Sequence, residues 1–204
     1  MTVLISGGGI AGLTMGLTLH QIGAQFHIFE SVKSPKPLGV GINLQPTAVR
    51  ELMELDLGAM LNQVGIRTRD YGFYTKTGVE IWTEPRGIDA GYNWPQYSVH
   101  RGQLYMALLD TVRKRCGDAC ITTGARVVGF EADNDGVKVT AETNDGLQSV
   151  AGDMLIGADG IHSAIRSQMY PSEGAPVWGG AVMWRGTTLA KPFLSAGSMI
   201  LAGH

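Results

Sequence analysis

The sequence predicts an α/β protein in which a parallel sheet carries an inserted antiparallel layer. Three observations lead there. A β-turn-α-β pattern with the spacing Gly7-x-Gly9-x-x-Gly12 opens the chain. A second strand-turn-helix follows at Met154 to Arg166. Between and after them lie strand-like runs that do not share the parallel-sheet pattern, from 71 to 82 and from 177 onward.

The elements follow in order. Val3 to Ile5 reads as a short buried strand and Ile10, Leu13 and Leu17 have helical spacing. Phe26 to Phe29 is a second strand ending on Glu30, 18 residues after Gly12. Such a βαβ unit is built to hold a dinucleotide. Gly7 takes a tight turn, Gly9 admits a pyrophosphate to the backbone, and Gly12 lets helix and sheet approach. The helix N-terminus offers free N–H groups and partial positive charge. A carboxylate at Glu30 accepts ribose hydroxyls and repels a 2′-phosphate, which favours FAD or NAD over NADP. The same pattern would also serve as a ligand-free glycine turn.

A polar, proline-marked loop, Ser31 to Pro37, leads into Leu38-Gly-Val-Gly-Ile-Asn43. Thr47 to Leu57 predicts an amphipathic helix with Val49, Leu52, Met53 and Leu57 inward, Pro46 starting it and Gly58 stopping it. Tyr71 to Trp82 predicts a hairpin about Thr77-Gly78. Arg101 to Cys116 carries the strongest helical stripe, Leu104, Leu108 and Val112, with Gly117 as its cap. Ile121 to Glu131, Val137 to Thr143 and Leu147 to Val150 predict short strands joined by Asn134-Asp-Gly136 and Asn144-Asp-Gly146. Met154 to Ile156 is a buried strand entering Gly157-Ala-Asp-Gly160, with a helix from about Ser163. Val177 to Leu189 reads as β-like.

Composition narrows the function classes. The 204 residues are 44% hydrophobic and 17% charged with a net charge of −2, which suits a globular domain with a sizeable core. No basic block points to nucleic acid. Residues 3 to 24 are apolar enough to resemble a signal peptide but lack a positive n-region, and no other stretch is long enough to span a membrane. Cys116 and Cys120, the only two cysteines, read as reduced thiols and a poor metal site. A cytoplasmic setting is the expectation.

With Gly7 to Glu30 at one end, His100-Arg-Gly-Gln-Leu104 in the middle and Asp153-Met-Leu-Ile-Gly-Ala-Asp-Gly-Ile-His-Ser-Ala-Ile-Arg166 near the other, the chain resembles the FAD-dependent aromatic hydroxylases. These are single-component flavoprotein monooxygenases of the p-hydroxybenzoate hydroxylase type. Pro37-Leu-Gly-Val-Gly-Ile-Asn43, Ser98-Val-His-Arg-Gly102, Gly157 to Ala164 and Met183-Trp-Arg-Gly186 narrow the resemblance to phenazine (5-methylphenazine-1-carboxylate) hydroxylases. Pro85-Arg-Gly87 and Trp94 to Ser98 look similar too. They identify a subgroup and do not fix the substrate.

The resemblance implies a Rossmann-like FAD/NAD(P)-binding fold with an inserted mixed or antiparallel β-sheet layer and its C-terminal part absent. Residues 1-70 and 97-170 would form a discontinuous FAD-binding domain, and 71-96 and 171-204 the start of a substrate-binding domain. Gly7, Gly9, Ile10, Ala11 and Gly12 would hold the FAD pyrophosphate and Glu30 the adenosine ribose. Val40 and Gly41 would pass along the flavin, Arg101 would reach the ribityl or pyrophosphate region, and Val127 would bring backbone groups to the adenine. Asp159 would sit between FAD and a transient NADH or NADPH, with Arg166 attracting that cofactor's phosphates. Tyr71, Phe73, Met183 and Trp184 are candidates to line the substrate cavity, or are ordinary sheet core. His100 and His162 read as structural, and Arg185 either meets a substrate carboxylate or is solvated.

The implied reaction is reduction of FAD by NAD(P)H, O2 addition at C4a to a hydroperoxide, and hydroxylation of a small aromatic ring. No catalytic side chain and no metal are expected, and a homodimer is allowed. The family's later Gly-Asp turn is not matched by Gly117-Asp118 or Gly152-Asp153. The chain is therefore expected to be the N-terminal part of a longer enzyme or a short remnant. Two further readings are a non-catalytic FAD-binding module and an NAD-dependent dehydrogenase, the latter opposed by Asp159-Gly160 and the inserted strands.

Overall fold

The computed structural model describes residues 1–203. In chain order it runs β1 (Thr2–Ser6), α1 (Ile10–Gln21), β2 (Gln25–Glu30), β3 (Gly41–Leu44), α2 (Pro46–Glu54), α3 (Gly58–Val64), β4 (Gly65–Thr68), β5 (Asp70–Thr75), β6 (Glu80–Pro85), β7 (Gln96–His100) and α4 (Arg101–Cys116). Then come β8 (Ile121–Thr123), β9 (Arg126–Ala132), β10 (Val137–Thr143), β11 (Gly146–Gly152), β12 (Met154–Gly157), α5 (Ala164–Met169) and β13 (Ser198–Gly203). The chain divides into two compact units, Met1–Lys36 with Tyr105–Met183, and Pro37–Leu104 with Trp184–His204.

The first unit holds a four-stranded parallel sheet in the order β12-β1-β2-β8. Val3, Leu4 and Ile5 of β1 are buried, as a central strand covered on both faces requires. α1 buries Leu13, Leu17 and Leu19. An antiparallel meander, β11-β10-β9, packs Val127, Val137, Val139 and Ala141 into one core with Leu4, Phe29 and Ile165. The outer edge of β9 is covered in part by α5. The Gln168 amide accepts from the Phe130 N–H at 3.0 Å and donates to the Phe130 carbonyl at 2.6 Å, imitating a neighbouring strand.

The expected strand from Ile121 to Glu131 is two strands in two sheets. Gly124 at φ 70° breaks it, leaving β8 to extend the parallel sheet while β9 starts the meander.

The second unit contains the antiparallel sheet β3-β7-β4 and the mixed sheet β13-β5-β6. The hairpin expected at 71 to 82 is β5-β6, and β13 runs parallel to β5. α2 starts at Pro46 as expected but stops at Glu54. Asp56 turns the chain at φ 57°, so buried Leu57 caps a new helix, α3, and Gly58 begins an element where a stop was expected. α4 has the expected bounds and buries Leu104, Leu108, Leu109 and Val112.

The β-like reading of Val177 to Leu189 is overturned. That stretch forms no strand, and its apolar residues face solvent, Val177 at 96% exposure. Alternating apolar residues make a strand only where a sheet edge is there to pair with, and β13 takes the β5 edge instead. Among the described residues no helix is long and apolar enough to cross a membrane.

Candidate functional site

The turn between β1 and α1 is closed by backbone contacts that exclude side chains. Gly7 has φ 102°, and a Cβ on it would lie 2.4 Å from the Ala158 carbonyl oxygen and 2.9 Å from the Asp159 Cα. A Cβ on Gly12 would lie 1.9 Å from the Gly7 carbonyl oxygen and 3.3 Å from the Ile5 side chain. Gly9 is different, because a Cβ there meets nothing within 4 Å. That open side is where the helix N-terminus faces out. α1 has no side-chain cap, and the Leu13 N–H donates to the Gly9 carbonyl at 2.9 Å. Among the described residues, the N–H groups of Gly9, Ile10, Ala11 and Gly12 have no acceptor. Four successive free donors at a helix start form an anion cradle.

Glu30 is fixed beside this cradle at the end of β2, only 8% exposed. Its Oε2 accepts from the Gly8 N–H at 2.8 Å, while Oε1 accepts from the Val32 N–H at 2.6 Å and the Ser31 hydroxyl at 3.3 Å. The carboxylate is thus pre-oriented by backbone donors and needs no rotamer search to meet a ligand.

Asp159 comes to the same turn from the second motif, through Ala158 and Gly7. Its Oδ2 accepts from the Ala164 N–H at 2.9 Å and the Ile165 N–H at 3.4 Å at the start of α5, and Ser163 caps the same helix through the Arg166 N–H. The other oxygen, Oδ1, is buried with no partner among the described residues. A buried carboxylate oxygen left unbonded is costly and marks a place built to accept a donor. Ala158 and Gly8 were not anticipated. Their contribution is backbone contact and a backbone N–H, which no residue-type pattern reveals.

Other candidates separate. Val127 buries its side chain in the core, so only its backbone is available to a ligand. Arg166 donates to the Ile161 carbonyl at 2.7 Å and pairs with Glu173 at 2.9 Å, so it braces its own loop. His162 is exposed. In the second unit, the Val40 carbonyl accepts from the Arg101 N–H at 2.9 Å, next to Gly41 at the start of β3. The Arg101 side chain is exposed, with no hydrogen bond or ion pair among the described residues. His100 Nδ1 accepts from the Gln103 N–H at 3.3 Å, an N-terminal cap for α4. The Tyr71 and Phe73 rings lie 4.6 Å apart on β5, tilted by 47°. Met183 and Trp184 are exposed, Trp184 at 94%, so neither is sheet core among the described residues.

A dinucleotide carrying a flavin fits these residues: free helix N–H groups for a diphosphate, an oriented carboxylate for a ribose, and an orphaned carboxylate oxygen beside the same turn. Comparison with known proteins agrees. A family model described as FAD binding domain matches residues 1–178. Phenazine 1,6-dicarboxylic acid hydroxylase of Lysobacter antibioticus is 43% identical over 204 residues, covering 98% of this chain and 50% of that protein. The chain spans about half the length of the curated relatives it matches. Among solved structures, Klebsiella pneumoniae HpxO complexed with FAD and uric acid matches with a TM-score of 0.68 and 28% identity, over 82% of this chain and 41% of that one. The p-nitrophenol 4-monooxygenase of Pseudomonas putida DLL-E4 shares the fold, with a TM-score of 0.73 at 20% identity over 82% of this chain and 44% of that one.

Proposed function

The chain belongs to the FAD binding domain family, and from that premise we propose that it is the cofactor-binding part of an FAD-dependent monooxygenase. The enzyme would hydroxylate a small aromatic, phenazine-like substrate with NADH or NADPH and O2. The observation that carries this reading is the set of four free N–H groups at Gly9 to Gly12, set beside the fixed Glu30 carboxylate.

FAD, when bound, supplies the electron transfer and oxygen activation that no side chain here provides. The protein's part is to bind, orient and exclude water. In the first unit, Gly7, Gly9, Ile10, Ala11 and Gly12 take the diphosphate, Glu30 the adenosine ribose, and the Val127 backbone the adenine, with Asp159 offering its unbonded oxygen to a donor of the cofactor. In the second unit, Val40 and Gly41 follow the flavin and Arg101 supplies a cation to the ribityl or pyrophosphate region. Tyr71 and Phe73 offer ring faces to the substrate. The proposed domain division is 1-70 with 97-170 for the cofactor, and 71-96 with 171-204 as the start of the substrate domain. A homodimer and a cytoplasmic setting complete the reading, the latter favoured by two unpaired cysteines.

The test is NAD(P)H consumption by the FAD-loaded, full-length protein with and without a phenazine carboxylate. Stimulated consumption with a hydroxylated product supports the reading. A flavin-loaded protein whose NAD(P)H consumption ignores every aromatic tested would instead point to a non-catalytic flavin module.

A further inference from the structure

The stretch Pro85-Arg86-Gly87 is not used by the cofactor cradle, yet it is held as firmly. The Arg86 N–H donates to the Arg69 carbonyl at 2.7 Å. The next residue, Gly87, has φ 58°, and a Cβ there would come within 2.5 Å of the Gln96 backbone nitrogen. The backbone is therefore pinned on both sides of Arg86.

Spacing by two puts Trp82, Glu84 and Arg86 on one side at β6 and its end. Register places Phe73 opposite Trp82 and Tyr71 opposite Glu84 on β5, with Leu201 and Met199 of β13 beside them. The rings form a row. Phe73 lies 4.6 Å from Tyr71 and 5.8 Å from Trp82, the latter pair stacked at 28°. The Arg86 guanidinium closes the row, 4.9 Å from the Tyr71 ring centroid.

The guanidinium is only half used. One terminal nitrogen, Nη2, pairs with Glu84 Oε1, while Nε is buried with no acceptor among the described residues. A buried donor without an acceptor is costly, and a guanidinium is a planar fork that matches a carboxylate with two parallel bonds. Its position over the Tyr71 ring holds the guanidinium beside the aromatic row. A neutral ring would cover the aromatic row and leave the fork unmet. An aliphatic acid would meet the fork and leave the rings wet. A flat aromatic acid satisfies both.

We propose that Arg86, held over the Tyr71 ring, is the residue that reads the carboxylate of a flat aromatic acid substrate. Glu84 acts as the internal carboxylate that the substrate displaces. The inference rests on the aromatic-hydroxylase reading and adds to it the residue that selects for the substrate's charge.

The test uses the full-length, FAD-loaded protein and two probes, phenazine-1-carboxylate and unsubstituted phenazine, with binding followed by the change in flavin absorbance. Arg86→Gln should weaken the acid by about 10- to 100-fold, the range for a lost hydrogen bond to a charged group, and leave the neutral ring within about twofold. Arg86→Lys should recover only part of the acid affinity because the fork is lost. Glu84→Gln should tighten the acid and not the neutral ring, an effect that a damaged fold cannot produce. Equal weakening of both probes in Arg86→Gln, or no weakening, overturns the inference while the hydroxylase reading stands. A wild-type protein that binds neither probe and whose NAD(P)H consumption neither one stimulates overturns both.

Discussion

Gly9 and Gly12 are three residues apart in one turn, yet a methyl group would meet different things at each. On Gly12 it would sit 1.9 Å from the Gly7 carbonyl oxygen, so Gly12→Ala should cost about 3 kcal/mol or more through overpacking of backbone. On Gly9 it meets no protein atom within 4 Å. Gly9→Ala should therefore stay within about 1 kcal/mol of wild-type stability, the cost of a poorer cap, while FAD affinity falls at least about tenfold as the methyl enters the diphosphate approach. Urea midpoints and flavin fluorescence titrations separate the two effects. Loss of stability at Gly9 or unchanged FAD binding there would contradict the cradle. At this scale Gly7, Gly9, Gly12 and Glu30 are legible as residue types at fixed offsets, and Asp159 only through the family resemblance. What escaped was backbone: the Ala158 carbonyl that forbids a side chain on Gly7, and the Gly8 N–H that holds Glu30.

Between elements, β2 and β8 are joined by a histidine as well as by their backbone ladder. His27 Nε2 lies 2.8 Å from Thr122 Oγ1, and its ring packs edge-on to Phe29 at 4.8 Å. Burial lowers the His27 pKa below its usual 6.5, a backbone bond at Ala119 opposing the shift. In the unfolded chain the ring takes up a proton near pH 6.5, and in the folded protein only at lower pH. The associated stability is complete above 6.5 and is lost as pH falls from there toward the folded value. The urea midpoint should drop between pH 8 and pH 5.5, and His27→Gln should flatten that drop. Long periodic elements were legible: α4 was read to the residue, and β10 carries clear alternation. The four- and five-residue strands β3, β4 and β7 were not, because so few residues show no period and their pairing is decided by neighbours distant in sequence.

For the whole chain, the unusual quantity is uncovered apolar surface. Val177, Trp178, Val182, Met183, Trp184, Leu189 and Phe193 all face solvent, more than a contiguous stretch of a soluble chain normally shows. Expressed as these 204 residues alone, the protein should bind a hydrophobic dye strongly and self-associate during gel filtration. Replacing Val177, Trp184 and Leu189 by serine should reduce both without changing FAD binding. Dye binding that the substitutions leave untouched would place the sticky surface elsewhere. This stretch also explains why its sequence misled: its apolar residues suit a sheet that the described residues do not build.

The central parallel sheet has a consequence in time. β1 is synthesised well before β12, its partner on one side, with Val3 in register with Met154. At about 5–20 residues per second, the ribosome needs roughly 8–30 s to deliver that partner after β1 has emerged. Throughout that interval the nascent chain presents Val3, Leu4 and Ile5 along an unpaired edge. Biosynthesis is therefore the stage at which this edge is most open to wrong pairing.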